Sequence, residues 1–141
     1  MLGLAVTSLS IAGLMIASYL TAVSYRWMEP DAAWLPAVCR LDERTCASVV
    51  FTPQARLLGP PNSVLGQFYY AVLIVAAVAG VLDTAPWSYG LLAAAAATVG
   101  LAAYLAYALL WVLRVRCPLC FASHAINVAI FSLLLYGVVA G

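Results

Sequence analysis

Residues 117–141 decide the fold, and they read CPLCFASHAINVAIFSLLLYGVVAG. The run contains no Asp, Glu, Lys or Arg, and it exceeds the roughly 20 apolar residues that a helix needs to cross a bilayer. It opens with Cys117 and Cys120, and two thiols at this spacing can close and reopen a disulfide. Pro118 suits the first position of a helix, where free N–H groups and the helix dipole favour a thiolate. The pair is therefore predicted to lie at the mouth of a membrane helix.

The whole chain shares this apolar character. Of its 141 residues, 67% are hydrophobic and only 8% are charged, which indicates an integral membrane protein. Uncharged stretches predict helices at about 2–26, 63–82, 88–113 and 118–140. We expect a single all-α domain over residues 1–141, built as a bundle of four transmembrane helices in the lipid bilayer. The net charge of +1 gives no reason to expect nucleic acid binding.

A long segment at 27–62 separates the first two predicted helices. It contains Cys39 and Cys46, and the charged residues beside them predict a solvent-exposed pair that is open to exchange with a soluble partner. A loop of this length in a small chain is usually functional. We expect it to form a lid over one end of the bundle. The alternative is a static disulfide that only holds the loop together.

The four cysteines leave two further interpretations open. Four thiolates would suit structural zinc, but the six residues between Cys39 and Cys46 exceed the two to four of common zinc motifs. The thiols would also be compatible with inert, buried positions. Redox chemistry is favoured over both, and we predict no metal site.

Polar residues lie inside the second predicted helix. Asn62 or Ser63 is expected to cap its amino end. Gly66, Gln67 and Tyr70 then follow at helical spacing. Polar groups within a membrane are energetically costly and usually mark a site, although capping by Asn62 and packing by Tyr70 would also account for them.

On the fourth predicted helix, His124 and Asn127 share a face with Cys117 and Cys120. A single histidine on a helix more often has a purely structural role. One turn from a redox cysteine in a membrane, His124 favours a functional role.

These motifs together resemble the vitamin K epoxide reductase family. The resemblance is carried by Cys39 and Cys46, then NSVLGQFYY at 62–70, then CPLCFASHAINV at 117–128, in this order. It extends from the first loop to the end of the sequence. It implies a four-helix bundle around a quinone pocket, with the long first loop capping that pocket.

The resemblance also implies roles for the cysteines. Cys117 and Cys120 would be the active-site pair, with the Cys120 thiolate facing the quinone. Cys39 would meet an outside thiol partner, and Cys46 would attack Cys117.

The remaining site residues would bind the quinone. Asn62 would hydrogen-bond one quinone carbonyl, and position 124 would do the same on the other side. The family pattern has Tyr at that position, but the imidazole of His124 can also donate a hydrogen bond. The change bears on the identity of the quinone and on inhibitor response. Gly66 and Tyr70, on the same helix as Asn62, complete the predicted quinone-binding set.

The implied function is that of a quinone-dependent thiol oxidoreductase that generates disulfides. Electrons would pass from a thioredoxin-like protein through the loop cysteines to the active-site pair, and then to menaquinone, ubiquinone or a vitamin K-type quinone. Because the sequence stops at Gly141, we expect that partner to act in trans. Two alternatives stay open: vitamin K quinone or epoxide reduction proper, and a non-catalytic, metal-binding membrane scaffold.

The arginines bear on the orientation of this multi-pass cell-membrane protein. All six lie within 26–62 and 114–116, on the side of the cysteines. The positive-inside rule therefore favours an active site that faces the cytoplasm. Disulfide-forming enzymes usually face outward, with the cytosol of hyperthermophiles as the known exception, so the opposite orientation stays open.

Overall fold

The computed structural model describes residues 1–25, 62–112 and 118–140. The described residues contain no strand and form four helices, namely α1 (Leu2–Ser24), α2 (Asn62–Val78), α3 (Trp87–Tyr107) and α4 (Pro118–Ala140). A π-helical turn, Ala108–Val112, continues α3. The predicted lid at 27–62 lies outside the described residues except for Asn62.

Three of the helices are long and apolar enough to cross a membrane, over Leu2–Ala22, Trp87–Val112 and Cys120–Ala140. Helix α2 is also apolar but has only 17 residues. At 1.5 Å per residue it is about 25 Å long, at the lower limit for a membrane span. The expected all-helical, membrane-spanning character is therefore confirmed for the described residues, whereas a fourth crossing by α2 stays a prediction.

Helix α2 ends at Val78 rather than at the expected residue 82, because the chain turns at Gly80. Gly80 has φ 72°, in the left-handed region that glycine adopts without steric cost. The N–H of Val81 donates to Ala76 O at 3.1 Å, and the N–H of Gly80 donates to Ala77 O at 3.2 Å. These two bonds form a Schellman motif, which satisfies the last carbonyls of the helix and stops it.

The bounds of α1 and α3 also differ slightly from the expected ones. Helix α1 ends at Ser24 rather than at 26, where the charged segment of the sequence begins. Helix α3 follows directly on Pro86, which has no N–H to donate and so fits the start of a helix. Its regular α-helical part ends at Tyr107, because the hydrogen-bonding pattern widens to a π-helical turn there.

Helix α1 packs against α2 and α4, and α3 packs against α4. Near the start of α1, a Cβ built on Gly137 of α4 would lie 2.8 Å from Leu2 Cδ2. Near its end, a Cβ built on Gly66 of α2 would lie 3.7 Å from Ala17 Cβ. Helix α1 therefore runs antiparallel to both neighbours. Its carboxyl end lies beside the amino ends of α2 and α4, and we call this end of the molecule the cysteine end.

One core connects all four helices. Since lipid tails are as apolar as the side chains, tight packing rather than hydrophobic burial holds such helices together. Tyr70 is the largest of the fully buried side chains. The core cluster consists of Val6, Ala17, Tyr70, Leu73, Ala76, Leu82, Ala95, Ile130 and Leu134.

Candidate functional site

The predicted site residues that the structure describes lie in the amino-terminal halves of α2 and α4. They are Asn62, Gly66 and Tyr70 on α2, and Cys120 and His124 on α4. Cys39, Cys46 and Cys117 lie outside the described residues, so their predicted pairing with one another stays a prediction.

The face of α4 that looks into the molecule carries the thiol. Cys120 lies in the first turn of α4 and is half-buried. Asn127 follows seven residues later, which is almost two turns, so it lies on the same face about 10 Å further along the axis. Ser123 and His124 flank that line on either side. The helix thus presents a thiol, a hydroxyl, an imidazole and an amide over its first turns.

Tyr70 connects α2 to this face. Its hydroxyl donates a hydrogen bond of 2.6 Å to Asn127 Oδ1 and lies 3.3 Å from Ser123 Oγ. A phenol carries one proton. Because that proton is donated to Asn127, the Ser123 hydroxyl is the donor in the second contact. Tyr70 is 1% exposed, so its hydroxyl is buried, while the Ser123 end of the second contact is half-buried.

The ring of Tyr70 rests against α1 where that helix has no side chain. A Cβ built on Gly13 would overlap three ring atoms of Tyr70, Cζ, Cε1 and Cε2. Glycine at position 13 is therefore required for the ring to reach across to α4. The sequence pattern Gly13-x-x-x-Ala17 is typical of close helix packing, and here it receives an aromatic ring.

Both ring nitrogens of the half-buried His124 are shielded from solvent and have no hydrogen-bond partner among the described residues. Its nearest described aromatic contact is with Phe121, edge to face, at 6.3 Å between ring centroids. A buried polar group without a partner costs about 1–3 kcal/mol, so such groups usually meet a ligand or another part of the chain. The imidazole can donate a hydrogen bond from one nitrogen and accept at the other.

Asn62 and Gly66 occupy different surroundings on α2. Asn62 is the first residue of the helix and is half-buried. Gly66 faces α1, where an added Cβ would make ordinary van der Waals contact with Ala17. Quinone binding by Asn62, Gly66 and Tyr70 stays a prediction.

A second polar cluster joins α1 to α2 at the cysteine end. Gln67 Nε2 donates to Ser18 Oγ at 3.0 Å. Thr21 Oγ1 lies 2.8 Å from Ala17 O, 2.9 Å from Ser63 Oγ and 3.0 Å from Gln67 Oε1. Thr21 has only one hydroxyl proton to donate, and the carbonyl oxygens of Ala17 and Gln67 can only accept. Ser63 is therefore the contact that is able to donate a hydrogen bond to Thr21.

The roles of Thr21 and Ser123 were missed by sequence reasoning. Their partners are 42 or more residues away along the chain, so helical spacing within one element gives no signal for them. The useful signal would have been hydroxyl groups on the same membrane face as a predicted site, since such groups seek partners on other helices.

The described residues bring together groups that suit thiol chemistry and ligand binding. Within residues 1–25, 62–112 and 118–140, no three His, Cys, Asp or Glu side chains come together as a metal site would require. What they do bring together is a half-buried thiol and, one turn later, an imidazole with two open hydrogen-bonding positions. That combination can hold a small molecule with carbonyl oxygens beside a nucleophile.

Comparison with known protein families gives a match that covers most of the chain. The model described as the Vitamin K epoxide reductase family matches residues 4–135, nearly the whole chain. No curated protein sequence matches the chain significantly.

Proposed function

This chain belongs to the vitamin K epoxide reductase family, and on that premise we propose that it moves electrons from a thioredoxin-like protein to a quinone. The family makes it a membrane oxidoreductase with quinone-related chemistry. The finer proposal is that it works in the direction that generates disulfides in client proteins.

One observation supports this proposal above the others. His124 lies one turn from Cys120, and its two ring nitrogens are buried without a partner among the described residues. A quinone carbonyl is an acceptor, and an imidazole N–H beside it would satisfy both groups. In this arrangement the quinone ring would lie next to the Cys120 sulfur, which is the predicted electron-transfer group.

The electron path is a series of dithiol–disulfide exchanges that balances at each step. A reduced thioredoxin-like protein gives two electrons to the Cys39–Cys46 disulfide and becomes oxidised. Cys46 then attacks Cys117, and the Cys117–Cys120 disulfide is reduced to two thiols through a mixed disulfide. Finally the Cys117–Cys120 pair closes again while two electrons and two protons pass to the quinone, which leaves as quinol.

Residues of this chain would position the thiol and the quinone for the final electron transfer. Cys120 lies in the first turn of α4, at the amino end of the helix and one turn before His124. His124 and Asn62 would hold the two carbonyl oxygens of the ring. The membrane helices around them keep water from the reacting atoms.

We also propose that the cysteine end faces the cytoplasm, because all six arginines lie in the segments at that end. Labelling of Cys39 on intact cells with a maleimide that cannot cross the membrane tests this orientation. We expect labelling only after the membrane is opened. Rapid labelling of intact cells would place the cysteine end outside.

The function itself is tested by quinol formation with the purified protein in liposomes, using short-chain ubiquinone and menaquinone as acceptors. Reduced thioredoxin or dithiothreitol supplies electrons. We expect the Cys39→Ala, Cys46→Ala double variant to lose the thioredoxin-driven reaction and to keep the dithiothreitol-driven one. A double variant that still accepts electrons from thioredoxin would exclude the loop relay.

Metal analysis distinguishes the proposed redox function from the alternative of a non-catalytic, metal-binding scaffold. A catalytic redox protein retains free or disulfide-bonded cysteines. Stoichiometric zinc in the purified protein, with all four thiols blocked by the metal, would support a structural scaffold instead.

A further inference from the structure

We propose that Tyr70 is a positioning residue that fixes the first turns of α4, and through them the places of Cys120 and His124, without contacting the quinone. Its effect on catalysis rests on the proposed function, whereas its effect on α4 does not. This role differs from the sequence-based expectation that Tyr70 binds the quinone directly.

The hydrogen bonds of Tyr70 argue against direct binding. A quinone carbonyl accepts hydrogen bonds and needs a donor. The single hydroxyl proton of Tyr70 is already donated to Asn127 Oδ1 at 2.6 Å. With the side chain 1% exposed and its ring seated on Gly13, Tyr70 has neither a free proton nor free surface to offer a ligand.

The same hydrogen bonds hold α4 at two points. Ser123 and Asn127 are four residues apart, so they lie one above the other on the helix and are joined by the one hydroxyl. Two attachment points one turn apart oppose both rotation of α4 about its axis and sliding along it. His124 lies between them in sequence, and Cys120 is one turn before Ser123.

The attachment matters because reacting groups tolerate little displacement. Misplacement of a reacting atom by about 1 Å costs on the order of 100-fold in rate. Helix α4 begins at Pro118, so Cys120 lies in its first turn, where a helix is held least by its own hydrogen bonds. Tyr70 belongs to α2 and packs against Gly13 of α1, so its hydrogen bonds to α4 can hold that turn in place.

The test uses four variants of the full-length chain. Tyr70→Phe removes the hydroxyl and keeps the ring, Asn127→Leu removes the acceptor, and a third variant combines both changes. The matched control is Tyr69→Phe, which removes a hydroxyl from the neighbouring residue of α2. No hydrogen bond joins the Tyr69 hydroxyl to α4 among the described residues.

The first measurement does not depend on catalysis. In a chain whose other three cysteines are replaced by Ser, the alkylation rate of Cys120 by a membrane-permeable maleimide reports the freedom of the first turn of α4. We expect Tyr70→Phe to speed alkylation about three- to tenfold, the range that corresponds to one hydrogen bond between membrane helices. The double variant should match Tyr70→Phe, because both single changes remove the same bond. An unchanged rate in Tyr70→Phe, or an equal rise in Tyr69→Phe, would overturn the positioning role.

The second measurement separates positioning from binding. In quinol formation we expect Tyr70→Phe to lower kcat about tenfold or more while the KM for quinone changes by less than about twofold. A raised KM with unchanged kcat would show that Tyr70 binds the quinone and would overturn the proposal. If the wild-type protein forms no quinol but alkylation responds as expected, the proposed function fails and the positioning of α4 stands.

Discussion

Helices α1, α2 and α4 are joined differently from α3. At the cysteine end the first three meet through side-chain hydrogen bonds and through the ring of Tyr70 seated on Gly13. Helix α3 instead turns Ala95 and Ala102 into the molecule, and Thr98 donates back to Ala94 O within its own helix. Polar contacts between membrane helices fix orientation, whereas small apolar residues permit close approach without fixing it.

This difference between polar and apolar packing indicates which helices must be held in fixed orientations. The predicted chemistry belongs to α4, and the polar attachments are to α4 and to its neighbour α2. At the other side, glycines 90 and 100 of α3 have open space around them. Trp87 and Trp111 are 64% exposed at either end of that span, typical of aromatic residues at membrane interfaces. Helix α3 thus serves mainly to complete the core and to face lipid.

The largest expected effect is at the thiol. Cys120→Ala should lower the rate of quinol formation about 1,000-fold or more, the scale of loss when a reacting nucleophile is removed. The control is Ser132→Ala, also on α4, where an exposed hydroxyl donates only to Val128 O. It should keep wild-type activity. Activity that survives in Cys120→Ala would remove this thiol from the reaction.

The next largest expected effect is a difference in the free energy of unfolding between variants of Gly13 and Gly100. Gly13→Leu should lower the free energy of unfolding in detergent by about 3 kcal/mol or more, because the new side chain overlaps the Tyr70 ring. Gly100→Leu on α3 should leave it unchanged or raise it by up to about 1 kcal/mol, since Leu is the better helix former. Equal losses in the two variants would contradict the distinction between the two regions.

The smallest effect separates two threonines that both donate to a carbonyl four residues earlier. Thr21 also meets Ser63 and Gln67 on α2, whereas the exposed Thr84, just before α3, donates to Gly80 O. We expect Thr21→Val to cost about 1 kcal/mol of unfolding free energy, the scale of an interhelical hydrogen bond in a membrane. Thr84→Val should cost about 0.3 kcal/mol or less, as most changes outside such contacts do. Denaturant titration of both variants measures the difference, and a reversed order would show that the α1–α2 cluster does not stabilise the fold.

The all-helical fold class could be predicted because a membrane-spanning helix is recognisable from its apolar composition. A run of uncharged, apolar residues has few other structures available to it in a bilayer, so α1, α3 and α4 follow from length and hydropathy. The end of α2 was harder. Gly80 lies among residues as apolar as those of the helix, and only its left-handed conformation shows that the chain turns there.

The site was predicted one helix at a time. Spacing along α4 places Cys120 and His124 on neighbouring positions of one face, because helical geometry is local. Spacing along α2 could not reveal that Tyr70 donates to Asn127, since that contact depends on how far apart α1, α2 and α4 lie. The missing side chain of Gly13 sets that separation, and its consequence appears only once the helices are packed.

The central claim is that the thiol pair at the amino end of α4 reduces a quinone. It is tested most directly by a single anaerobic turnover of the pre-reduced Cys39→Ala, Cys46→Ala protein with excess menaquinone. We predict one quinol per chain, with a disulfide between Cys117 and Cys120 found by mass spectrometry of the quenched protein. Quinol formation without that disulfide, or no quinol while both thiols remain reduced, would contradict the claim.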